Sequence, residues 1–150
     1  MKKQAVFEWL CNALAERERD LQSAWEAMME SNQQEGKSSS GDKHETGRAM
    51  VHLELEQLGK QRQEIQKQRA EVLRLVPVEG REYERVEGGA LVTTSVGLYY
   101  MVTGWGKVFL QGKEVLIIGI PSPVGKALLG KRVGEEFGWG TLKGLIEKIE

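Results

Sequence analysis

Gly41-Asp42-Lys43-His44-Glu45 sets two carboxylates three residues apart between two segments that otherwise read as one long helical hairpin. Upstream, Phe7, Leu14, Leu21 and Met28 recur at a strict spacing of seven, with Leu10, Cys11 and Trp25 in intermediate seam positions. Downstream, Val51, Leu58, Ile65 and Val72 repeat the spacing with Leu55 between the first two, while Arg62 and Arg69 occupy the later seam positions. Their aliphatic stems are long enough to cover an apolar seam.

The run from Ser31 through Gln33, Gly36 and Ser38-Ser39-Ser40 to Gly41 is polar and glycine-containing and reads as a turn or loop, so the two helices double back. Helices of about 27 residues, rising ~1.5 Å per residue, make a rod of roughly 40 Å, longer than a chain of this size needs for its own core. An acidic pair at the end of such a rod is placed to be delivered somewhere. The bland alternative is a helix start, with Ser40 or Asp42 as cap and Glu45 in the first turn, and spacing alone favours it; the functional reading rests on position and neighbours.

Composition divides the chain near Val76-Pro77. All but four of its 18 glycines (Gly36, Gly41, Gly47 and Gly59), and all three prolines, lie from position 77 onward. Residues 77–150 read as a small antiparallel sheet. Its β-rich runs are Ala90 to Thr94, Leu98 to Val102, Lys107 to Leu110 and Glu114 to Ile118, with Phe137 to Trp139 and Leu145 to Ile149 as the last strands. Between them a short helix begins at Ser122 as N-cap with Pro123 in its first position, and leaves at Gly130.

The 150 residues carry 21 basic and 22 acidic side chains, so no broad cationic surface for a nucleic acid backbone is expected; direct DNA binding is not indicated. One cysteine, Cys11, and two histidines, His44 and His52, exclude a disulfide framework and a zinc-type ligand set, and fit a cytoplasmic compartment. Glu8 interrupts the apolar run that would imitate a secretory leader, and no stretch reaches membrane-spanning length. Gly119 and Gly125-Lys126 have the wrong spacing for a phosphate-binding loop, and Ala127 stands where its Ser or Thr belongs. His44 reads as an exposed bystander, and Tyr99, Tyr100, Trp105 and Phe109 as core or interface aromatics.

The segment Pro121-Ser122-Pro123-Val124-Gly125-Lys126-Ala127-Leu128-Leu129-Gly130, followed by Gly134-Glu135, closely resembles the signature of the Gre family of bacterial transcript cleavage factors. Gly41-Asp42-Lys43-His44-Glu45-Thr46 is similar to that family's tip motif, in the same order along the chain. The resemblance implies an α+β protein: an antiparallel coiled-coil hairpin over 1–76 with an acidic tip loop near 32–46, and an FKBP-like antiparallel β domain with a short helix over 77–150.

It further implies a GreA/GreB-like elongation factor that binds RNA polymerase through the C-terminal domain, with Ser122, Pro123, Gly125 and Lys126 at the contact. The coiled coil would enter the secondary channel, where Asp42 and Glu45 share a Mg2+ ion with the polymerase active centre. The chain would not be an enzyme alone; it would stimulate the polymerase's own cleavage of backtracked RNA, meeting the nascent RNA 3′ end indirectly. Thr46 replaces the family's Asn, and Arg48-Ala49 its acidic-aromatic pair. Two alternatives therefore stay open: a channel regulator that does not promote cleavage, and a prolyl isomerase or chaperone built on the C-terminal domain.

Overall fold

The computed structural model describes the backbone of residues 2–36 and 41–150, and their side chains except at 32, 34–36 and 41–45. Two long helices come first, α1 over Lys3–Gly36 and α2 over Gly41–Leu73. Both are longer than the turn-rich reading of 31–41 allowed, because α1 continues through Ser31 and Gln33 to Gly36. Gln and Glu are good helix formers, and a polar stretch at the end of a helix needs no apolar partner to stay helical. The proposed cap at Ser40 lies outside the described residues.

Strands β1 (Leu91–Thr94), β2 (Gly97–Met101), β3 (Gly106–Leu110) and β4 (Lys113–Ile118) follow, then α3 (Pro123–Leu128), β5 (Glu136–Trp139) and β6 (Leu142–Ile149). Each lies within a residue or two of its sequence expectation except β6, which starts three residues earlier. The six strands form one sheet in the order β3-β4-β2-β1-β6-β5. Four of the five pairings are antiparallel; β2 and β4 run parallel, Leu98 opposite Val115 through Met101 opposite Ile118. The sheet is thus mixed, not wholly antiparallel, because β3 folds back outside β4 and leaves β4 pointing the same way as β2.

The β3–β4 hairpin turns on Gln111 and Gly112, with φ of 53° and 74°. Positive φ at both central residues is the two-residue turn whose twist matches the strands it joins, and glycine occupies the second position without steric cost.

The chain forms two compact units, one over 11–69 and the other over 1–10 with 70–150. Composition placed the division at 76/77; spatially, the first turns of α1 and the last turn of α2 belong with the sheet. In that unit, Val86, Ala90, Val92, Tyr99, Met101, Ile118, Leu128, Phe137 and Ile146 form one buried cluster. Strand alternation buries Leu91, Tyr100, Val115 and Ile117 on the other face. Val6, Leu10 and Val72 are fully buried as well. Trp9 meets Trp105 edge to face, and Thr103 Oγ1 donates to Glu71 at 3.3 Å, fixing both helix ends to the β2–β3 connection.

In the unit over 11–69 the helices run antiparallel. Glu18 of α1 pairs with Arg69 of α2, and one heptad further on Arg62 of α2 lies 5.6 Å from the Trp25 ring centroid. Val51, Leu55 and Ile65 are buried along the seam. Gly59 faces Trp25 across the seam, where an added Cβ would make an ordinary van der Waals contact with the ring at 3.6 Å.

Candidate functional site

Asp42 and Glu45 lie in the first turn of α2. α1 ends at Gly36 and α2 begins at Gly41, so this turn is at the end of the hairpin where the chain reverses. Positions three apart on a helix are surface neighbours. The side chains of Asp42, Lys43, His44 and Glu45 lie outside the described residues. Arg48, one turn further along α2, is exposed.

The second locus is built around Ser122. Its Oγ donates to the Gly119 carbonyl at 2.7 Å and accepts from the Gly125 amide at 3.0 Å, and its φ of −65° and ψ of 155° are those of an N-cap residue. Pro123 fills the first helical position, where no amide hydrogen is needed. Gly125 is required by space: a Cβ there would collide with the Gly119 carbonyl oxygen and lie 2.8 Å from Ser122 Oγ and 2.9 Å from the Ile120 carbonyl oxygen. Past the helix, the amide of Gly130 donates to the Val86 carbonyl and that of Val86 to the Lys131 carbonyl, both at 2.8 Å.

The four residues singled out in this segment therefore divide. Ser122 and Gly125 face inward and hold the turn in shape, while Pro123 and Lys126 are exposed. Beside α3 lies an open cavity of about 650 Å³ whose lining includes Ala127, Lys131, Phe137 and Lys143. Sequence reading gave Lys131 and Lys143 no role because they reach this cavity from separate elements: Lys131 lies within the family-like stretch, between Gly130 and Gly134, and Lys143 in no motif.

The aromatic residues do not converge on one pocket. Tyr99 and Tyr100 are buried, Trp105 rests against Trp9, and Phe109 is exposed on β3. Burial raises the Tyr99 phenol above its ordinary value, and its ring meets Phe137 edge to face at 6.0 Å. Among the described residues no group of three or more His, Cys, Asp or Glu side chains could hold a metal ion, and no helix is long and apolar enough to cross a membrane.

These features define an α+β protein that comprises an antiparallel helical hairpin and a six-stranded mixed sheet with one short, side-chain-capped helix. Compared by sequence, the chain matches no protein-family model and no curated protein. Compared by structure, it is similar to the GreA factor homolog 1 protein of Thermus thermophilus, at 18% identity over 93% of this chain and 94% of that one, with a TM-score of 0.35.

Proposed function

We propose that this chain is a Gre-type factor that binds bacterial RNA polymerase through its sheet unit, enters the secondary channel with its helical hairpin, and stimulates the polymerase's intrinsic cleavage of backtracked RNA. The observation that carries the reading is the placement of Gly41-Asp42-Lys43-His44-Glu45 in the first turn of the second hairpin helix, where the chain reverses. The Ser122 to Gly130 segment, whose family-like residues form a tightly specified cap and turn, supports it from a second part of the sequence.

The chemistry of the donor set fits a shared ion. Carboxylates are hard oxygen ligands of the kind Mg2+ takes, usually one or two of them beside waters and phosphate oxygens, so Asp42 and Glu45 would hold such an ion jointly with groups of the polymerase centre. An Mg2+ ion held there would supply an activated water and stabilise the leaving oxygen. Asp42 and Glu45 themselves bind and orient; the chain performs no bond cleavage alone. Pro123 and Lys126 are exposed and available for the polymerase contact, whereas Ser122 and Gly125 shape the turn that presents them.

A second reading is favoured by one observation. Arg48 and Ala49 stand one turn beyond Glu45 where the family carries an acidic-aromatic pair, and Arg48 is exposed. A cation there alters the charge presented to a metal, which suits a channel-occupying regulator that does not promote cleavage. No comparable observation favours a prolyl isomerase, since Tyr99 and Tyr100 are core residues.

The test is transcript cleavage by a stalled, backtracked elongation complex, comparing the unsubstituted chain with its Asp42→Ala/Glu45→Ala form. Shortened RNA with the unsubstituted chain alone, at equal polymerase binding by both, is the expected result. Binding without cleavage by either form assigns the regulator reading, and absence of binding rejects both.

A further inference from the structure

We propose that the free edge of β3 is a self-association surface to which a second copy of this chain adds its own β3, antiparallel and centred on Val108. The strand order ends at β3, so one side of Gly106–Leu110 is unpaired in the sheet. Phe109 on this strand is 75% exposed, more than any other large hydrophobic side chain among the described residues, and the Lys107 side chain is 67% exposed. Val108 between them is buried, so Lys107 and Phe109 share the outer face.

The hairpin geometry selects which backbone groups are free. Leu110 and Lys113 flank the two-residue turn and pair with each other, and antiparallel partners alternate between bonded and non-bonded pairs. Gly106, Val108 and Leu110 accordingly bond toward β4, while Lys107 and Phe109 direct their N–H and C=O groups outward. In a two-fold pairing centred on Val108, Lys107 of each copy falls opposite Phe109 of the other. All four outward groups then enter hydrogen bonds. The same register sets each lysine across from an aromatic ring, giving two symmetry-related cation–π pairs. Glu114, 3.4 Å from the Lys107 ammonium, keeps that charge partnered as it meets the ring.

An edge lysine usually keeps strands apart. Here it opposes that role only because the two-fold register places Phe109, not a second Lys107, across from it. The other edge lacks this property: on β5 the equivalent register puts Glu136 opposite Gly138, with no ring to receive a charge. Five paired residues bury far less than the roughly 1,200 Å² of a stable interface, so the dimer forms at millimolar and dissociates at micromolar concentration. The surface involves neither the acidic pair nor the Ser122 segment and stands independently of the function proposed above.

The test is amide hydrogen exchange together with sedimentation equilibrium, each at micromolar and millimolar concentrations of the full chain. Dimer formation is expected at the higher concentration, with the Lys107 and Phe109 amides exchanging roughly fivefold more slowly there and the Val108 amide, bonded to β4 throughout, unchanged. Phe109→Ser and, separately, Lys107→Ser should each weaken the dimer and remove the concentration dependence. A chain that stays monomeric at millimolar concentration, a dimer that leaves the Lys107 and Phe109 amides unaffected, or undiminished dimerisation by both variants overturns the proposal.

Discussion

Trp9, in the second turn of α1, and Trp105, between β2 and β3, meet edge to face with ring centroids 6.0 Å apart and planes at 86°. Neither ring is fully buried, yet the contact fixes the start of the first helix to the sheet unit, beside the Thr103–Glu71 hydrogen bond that fixes the end of the second. An aromatic pair of this geometry contributes about 0.5–1.5 kcal/mol beyond its area.

A double-mutant cycle on Trp9→Ala and Trp105→Ala, followed by denaturant unfolding, should show coupling in that range of about 0.5–1.5 kcal/mol. Additive single effects would mean the rings are merely adjacent.

Ser122→Ala should destabilise the sheet unit by about 1 kcal/mol through loss of the cap. Gly125→Ala should cost roughly 3 kcal/mol, because its methyl group collides with backbone oxygens that cannot turn aside. Lys126→Glu, on the exposed side, should leave the unfolding midpoint unchanged and lower polymerase affinity by about tenfold under the proposed function. Calorimetry and a polymerase binding titration separate the three.

Glu18 and Arg69 pair across the hairpin, with side chains 25% and 42% exposed. Solvent screening limits their coupling to less than about 1 kcal/mol, and it should fade in high salt. Arg62→Ala, which removes a guanidinium from the Trp25 ring, should cost about 0.5–1 kcal/mol with weaker salt dependence. Thermal unfolding at low and high ionic strength checks both.

Tyr99 sets an alkaline limit. Its phenol is raised by burial above the ordinary value of 10.0. Below that pH the group is neutral in both states and its contribution is whole; above it the unfolded chain ionises first, so stability falls until the folded-state value is passed. Tyr99→Phe should match the unsubstituted chain near neutral pH and lose less stability above pH 10, as read from unfolding curves across that range.

Much of this architecture was legible because it is local. Sevenfold spacing marked Phe7, Leu14, Val51 and Ile65 as seam residues, strand alternation and turn glycines located the strands within a few residues, and Ser122-Pro123 marked a helix start. Each signal depends on neighbours a few positions away along the chain.

What only the tertiary structure decided concerns partners far apart in sequence. The parallel pairing of β2 with β4, the burial of Gly125 against the Gly119 carbonyl, and the use of Arg62 and Arg69 against Trp25 and Glu18 all depend on which distant surface arrives. The seam arginines illustrate the reason. An interruption of the apolar period is visible in sequence, but whether a cation there is an expense or an anchor depends on the ring or carboxylate opposite it, and that residue lies 37 to 51 positions away.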